Sequence, residues 1–200
     1  MHRRAFLAAL AAAVPASAGA APVDELPLTP LPPTANPDSV PGLSWFGAGP
    51  SAIEIFDYNC PYCRAAFETL DARVAKKKLR IGLIDSPQLS AGSVQAAKIR
   101  QAALILYGPE KAYEFHRRLY ARKGMIDGDV ALDVAQGLGL DVAKLTDAAN
   151  SPYVRARIIA QSHFLDDIGV ATTPSFILGR KLLSGWPGAA GFDAALKVAR

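Results

Sequence analysis

The 200-residue chain has two cysteines, Cys60 and Cys63, set two residues apart in Phe56-Asp57-Tyr58-Asn59-Cys60-Pro61-Tyr62-Cys63. A disulfide across Pro61 and Tyr62 closes so small a loop that it removes little unfolded-chain entropy, so the spacing suits a bond that is made and broken rather than a brace. Zinc usually takes four ligands, and His116 and His163 are the only candidates to join the pair in the exported chain; they are distant and lack a paired ligand spacing. Cu(I) accepts two thiolates and stands as the alternative chemistry. Thiol-disulfide exchange is the favoured reading, and it needs neither a cofactor nor a resident metal.

Two elements must hold the pair. Ser51 to Asp57 reads as a short buried strand, and Arg64-Ala65-Ala66-Phe67-Glu68-Thr69-Leu70 opens an amphipathic helix, which puts Cys60 at the strand-to-helix junction. Pro61 suits the first helical turn, where no N–H is required. The unpaired N–H groups of that turn and the positive end of the helix dipole then favour a Cys60 thiolate. Cys63, one turn further in, is the more buried thiol and the one that resolves. Glu54 lies six positions before Cys60 in the same strand. A buried carboxyl without a partner is costly, and the residues alone leave a solvated edge position and a functional one equally open.

Together these residues resemble the DsbA-like branch of the thioredoxin superfamily. The likeness runs from about Gly47 to Arg200 and rests on two blocks, Glu54 to Cys63 and Gly169-Val170-Ala171-Thr172-Thr173-Pro174-Ser175-Phe176-Ile177-Leu178-Gly179. Cys-Pro-Tyr-Cys also resembles glutaredoxins, in which the cysteines and the proline motif are much closer together. The resemblance implies an α/β thioredoxin fold with a helical domain inserted between its two halves: residues 51–87 and 169–200 form the thioredoxin-like domain, and 88–168 form a lid beside the cysteines. It implies a cis bond before Pro174, where the residues alone would allow a trans proline opening an edge strand. It also implies that Thr173 and Pro174, with Pro61 and Tyr62, bind an extended substrate, and that Glu54 moves the proton of the resolving thiol. Thr before the cis-proline is frequent in isomerase and reductase types of the family, and Val is common in dedicated oxidases. The family's isomerases often carry an N-terminal dimerisation domain, for which nothing here is long or periodic enough.

The rest of the chain bounds the setting. Met1-His2-Arg3-Arg4-Ala5-Phe6-Leu7, an alanine-rich run and small residues up to Ala20 read as a signal peptide, 1–20, whose Arg-Arg-x-Phe-Leu order resembles a twin-arginine signal while leaving Sec export open. Cleavage near Ala20 lowers the formal charge from +4 to +2, so no nucleic-acid or anionic-membrane partner is implied. The expected location is the periplasm, where a disulfide persists. Residues 21–50 hold eight of the fifteen prolines and read as an extended, poorly ordered leader, a tether or a segment that docks on the body. Half the composition is hydrophobic, enough for one ordinary core. Beyond Asp85-Ser86-Pro87 the 3.6-residue period predicts helices for about eighty residues. The function expected is exchange of disulfides with cysteine-containing exported proteins, as a monomer recharged by a membrane redox partner. The oxidase direction is narrowly favoured over an isomerase or reductase.

Overall fold

A run of β-branched and aromatic residues forms the centre of the sheet. The computed structural model describes residues 26–199, so the expected signal peptide lies outside the described residues. Strand β3 (Ser51–Phe56) is buried from Ala52 onward on both faces, as a central strand must be. It pairs in parallel with β4 (Leu79–Asp85) and antiparallel with β5 (Ser175–Leu178), which turns at Gly179 into β6 (Lys181–Ser184). Two further strands close the edges, β1 (Leu28–Pro30) on β6 and β2 (Ser44–Ala48) on β4, giving the order β1-β6-β5-β3-β4-β2.

The two edge strands correct the expectation of an extended leader. Between residues 26 and 50 the chain is built into the body: Phe46 is buried in the main core, and Leu31 and Val40 close the opposite face against α5 (Pro152–Asp167). Proline is tolerated at edge strands and in the connection between them, so a high proline content does not exclude this segment from the sheet. Gly42 shows how closely it docks. With φ at +85°, a Cβ there would stand 2.4 Å from the Gln101 side chain.

Alternation along β3 sorts the rest. Ala52 and Phe56 face the larger core, with Cys63, Ala66 and Leu70 of α1 (Pro61–Ala75), Phe192 and Leu196 of α6 (Gly188–Val198), and the helical insertion. Ile53 and Ile55 face the smaller core under Leu165 and Ile168. The insertion comprises α2 (Ala91–Tyr120), α3 (Gly128–Gly137), α4 (Val142–Ala149) and α5, between β4 and β5. This is the α/β thioredoxin-like fold with a helical insertion between its two halves. Ser90, Asp127, Asp141 and Ser151 cap the four helices through their side chains. Helix α2 is broken at Gly108, whose φ is +80°, and Pro109 restarts it. Ala112, Phe115, His116, Leu119 and Tyr120 beyond the break are buried on one face, whereas Leu106, just before it, is 42% exposed.

A buried ion pair ties insertion to sheet. Asp85 at the end of β4 accepts from Arg100 Nε (2.8 Å) and Gln101 Nε2 (2.6 Å), while its backbone N–H donates to Gln161 Oε1 (3.0 Å). Arg100 is fully buried. Truncating one member of such a pair strands the other charge, so Arg100→Ala should lower unfolding free energy by about 3–5 kcal/mol in urea titrations. A loss under about 1 kcal/mol, the range of surface pairs, would show that the pair does not bind the insertion to the sheet.

Candidate active site

The connection from β3 to α1 is short, and Cys60 is its last residue. Cys60 caps α1 in extended conformation (φ −79°, ψ 118°), with its N–H donating to Asp57 O at 3.1 Å and its Sγ accepting from the Cys63 N–H at 3.4 Å. Pro61 opens the helix. The two cysteines are in the reduced form. Cys60 is 4% exposed and Cys63 fully buried, while Pro61 and Tyr62 are exposed, Tyr62 by 67%.

The second sequence block meets the first here. The Thr173-Pro174 bond is cis, and Thr173 O lies 3.1 Å from Cys60 Sγ, where it accepts the thiol proton when Cys60 is protonated. Pro174 is buried and Thr173 half-buried, so the loop before β5 forms one wall beside the reactive sulfur. Cys60, Cys63, Pro61, Tyr62, Thr173 and Pro174 are therefore all brought together around one sulfur atom.

The electrostatics of the two thiols are opposite. Cys60 is pulled from 9.0 to about 6, first by the hydrogen bond from the Cys63 thiol; burial opposes this, and Thr173 and the Cys63 and Tyr62 N–H groups add to it. The helical N–H groups thus contribute as the sequence predicts, but the partner thiol contributes most. Cys63 is pushed far up by burial, then by its hydrogen bond to Cys60 and by Glu54. At neutral pH the reduced pair is a Cys60 thiolate held by a Cys63 thiol.

Glu54 is not at an edge. It faces the larger core from the central strand, paired with Leu83 on one side and Phe176 on the other, and neither carboxyl oxygen has a hydrogen-bond partner. Burial raises its pKa from 4.5 to about 8, with the Cys60 charge adding to the rise. It is therefore a neutral acid at pH 7, able to give or take a proton near neutrality.

His116 lies on the same side of the sheet. Its Nδ1 and the Tyr58 hydroxyl are 3.0 Å apart, and its ring is packed among Phe56, Tyr58, Phe67, Tyr113 and Tyr120. Burial, aided by the Arg100 charge, holds it well below the usual histidine range, so it is a neutral core histidine. His163 is exposed on α5. Among the described residues no three His, Cys, Asp or Glu side chains gather as a metal would require.

Sequence reasoning misses two residues that carry much of the local order. Asp57 and Asn59, flanking Tyr58, bond the backbone and side chains of the insertion. Asp and Asn in a strand-to-helix connection commonly make such bonds, and that pattern is the available signal.

A cysteine pair opening the first long helix, beside a cis-proline loop on a four-stranded centre, defines a thioredoxin-fold redox site. The Thioredoxin family profile matches residues 47–198, and the chain belongs to that family. Its structure is similar to a thioredoxin-like oxidoreductase from Silicibacter pomeroyi DSS-3, with 31% identity, 83% of this chain and 98% of that one covered, and a TM-score of 0.74. It is also similar in fold to the thiol-disulfide exchange protein alpha-DsbA2 from Wolbachia pipientis (24% identity, 78% and 87% covered, TM-score 0.70). A third similar fold is a periplasmic thioredoxin-like protein from Salmonella enterica serovar Typhimurium (23% identity, 80% and 91% covered, TM-score 0.70). With 78–83% of this chain covered, the similarity extends into the helical insertion as well as the thioredoxin-like part. No curated protein matches the chain.

The raised Glu54 pKa makes a stability prediction. An acid with a folded pKa above its unfolded value contributes stability at pH below the unfolded value and loses it as pH rises toward the folded one. Between pH 4.5 and 7 that loss is on the order of 3 kcal/mol, at about 1.4 kcal/mol per unit. Glu54→Gln removes the titration, so variant stability measured against wild type by urea unfolding should improve by that order across this interval. A difference that stays constant with pH would show that Glu54 is not held protonated.

Proposed function

We propose that the chain is an exported thiol:disulfide oxidoreductase that passes a disulfide from Cys60 and Cys63 to cysteine pairs of extracytoplasmic proteins. The observation that carries this reading is the opposite tuning of the two thiols across one helical turn, Cys60 low at about 6 and Cys63 high. The signal-like residues 1–20 support export, as does similarity to a protein described as periplasmic. The likeness to a thioredoxin-like oxidoreductase and to a thiol-disulfide exchange protein supports the reaction.

In the oxidised enzyme a substrate thiolate attacks Cys60 Sγ. A substrate-Cys60 disulfide forms, the Cys60-Cys63 bond breaks, and the electron pair leaves on Cys63, which takes up a proton because its site disfavours the thiolate. Glu54 is the buried acid placed to supply that proton. A second substrate thiolate then attacks the substrate sulfur of the mixed disulfide and releases Cys60 as a thiolate. Two substrate thiols are oxidised and the enzyme disulfide is reduced. Thr173 and Pro174 present backbone to an extended substrate beside Cys60, as strand addition requires, with Pro61 and Tyr62 on the other side.

A leaving group of low pKa departs readily and stabilises the reduced enzyme, which favours the oxidase direction. The enzyme then needs a two-electron acceptor, a membrane redox partner, to restore the disulfide, and acts as a monomer. Thr173 supports a second reading, an isomerase or reductase running the same steps from the reduced pair. Cu(I) binding by two thiolates is disfavoured, because burial and Glu54 both oppose ionisation of Cys63.

Cys60→Ser should abolish oxidation of a reduced, unfolded substrate. Cys63→Ser should keep the attacking sulfur and accumulate mixed disulfides visible on non-reducing gels. The reverse pattern would invert the two roles, and Cu(I) uptake without any substrate oxidation would replace the enzyme by a metal carrier.

A further inference from the structure

The turn that carries Cys60 is fastened to the insertion by two side chains whose hydrogen bonds go to neither thiol. Asp57 is buried, and its carboxylate accepts four hydrogen bonds: Oδ1 from the Asn59 N–H (2.7 Å) and the Ser93 hydroxyl (2.6 Å), Oδ2 from the N–H groups of Gln88 and Leu89 (2.9 Å each). Asn59 pairs with the backbone of Ile126 in both directions, Oδ1 accepting its N–H at 2.7 Å and Nδ2 donating to its carbonyl at 2.8 Å. The same Nδ2 lies 3.0 Å from Ser90 Oγ and from Ser93 Oγ.

Both loops so gripped carry exposed apolar side chains next to the gripped residue. Leu89, whose N–H is held by Asp57, is 56% exposed, and Met125, adjacent to Ile126, is 66% exposed. An exposed large apolar side chain is unexceptional singly; here two occur on separate loops, both anchored to the residues immediately before Cys60, with Tyr62 exposed just after it. Neither loop needs Asn59 for its own secondary structure: Ser90 caps α2 through the Ser93 N–H, and Asp127 caps α3 through the Val130 N–H. The Cys60 thiolate is likewise held by other groups, Cys63, Tyr62 and Thr173.

We infer that Asn59 is a positioning residue for polypeptide substrates, which, through its bonds to Ile126, Ser90 and Ser93, holds the Leu89 and Met125 loops at a fixed place beside Cys60. It rests on the exchange reaction proposed above and deepens it: Asn59 does not tune the sulfur but sets the walls against which a substrate chain is aligned. A small dithiol reaches Cys60 without using those walls. A polypeptide cannot, and misplacement on the scale of an ångström lowers its rate steeply.

The test compares the second-order rate of the oxidised enzyme with a reduced, unfolded two-cysteine polypeptide and with dithiothreitol, together with the Cys60 pKa from thiolate absorbance. Asn59→Ala should lower the polypeptide-to-dithiothreitol rate ratio by about ten-fold or more while the Cys60 pKa stays at about 6. The double variant Leu89→Ser, Met125→Ser alters exposed positions only and should lower the ratio in the same way; it decides the matter if Asn59→Ala does not fold. Ser151→Ala, which removes the cap of α5 elsewhere in the insertion, should leave the ratio unchanged. Ratios within about two-fold of wild type in the Asn59 and loop variants, an equal fall in Ser151→Ala, or a Cys60 pKa that rises in Asn59→Ala overturns the inference. If wild-type enzyme oxidises neither reagent, the exchange reading falls and this inference with it. Wild-type exchange with unchanged variant ratios removes this inference alone.

Discussion

A thiolate at the end of a helix, held by a neighbouring thiol that cannot itself ionise, is the interaction on which this molecule is organised. Cys60 is stabilised by the Cys63 S–H and by N–H groups of the first turn of α1. That arrangement exists only while Cys60 is extended and the next residue helical, which is why β3 must end and α1 must begin within four residues. The apolar stripe Cys63, Ala66, Leu70 then presses α1 on the sheet and fixes the direction in which its N-terminus points.

The same burial that gives Cys63 its high pKa leaves a polar interior to be reconciled. Glu54 resolves the conflict by staying protonated, His116 by staying neutral, and Asp85 by pairing with Arg100 and Gln101. Asp57 remains a buried acceptor satisfied by four donors from three parts of the chain. These solutions differ in consequence. The Asp85 and Asp57 networks join insertion to sheet, whereas Glu54, without a partner, stays free to exchange a proton with a thiol.

Much of this is legible in the amino-acid sequence, and the unevenness has physical causes. The cysteine spacing, Pro61, the helix caps at Asp141 and Ser151 and the break at Gly108-Pro109 are local signals, each set by the conformation of a few adjacent residues. The two blocks that carry Cys60 and Thr173-Pro174 are legible through resemblance, and the fold brings them within 3.1 Å. Strands β1 and β2 are hidden because proline density masks a short alternating pattern such as Ser44-Trp45-Phe46, and because edge strands are defined by their partners. Glu54 cannot be placed at an edge or inside without knowing that β5 pairs with β3 from over a hundred residues away. The Asp85-Arg100 pair and the Asn59 bonds to Ile126 are likewise long-range, with no spacing rule to announce them.

The stabilised Cys60 thiolate is tested most directly by the stability of the reduced enzyme minus that of the oxidised enzyme across pH, measured by denaturant unfolding. A group with a depressed folded pKa contributes stability that is fully present above its unfolded pKa and lost as pH falls through the folded one. For Cys60 that window runs from about 9 down to about 6, and the disulfide form has no thiol to share it. The reduced form should therefore gain on the oxidised form as pH rises through this window and be the more stable at neutral pH; above about 9 the trend reverses, because Cys63 is held protonated in the folded state and ionises in the unfolded one. An oxidised form more stable at every pH, with a difference flat between 6 and 9, would contradict a stabilised Cys60 thiolate and the oxidase reading built on it.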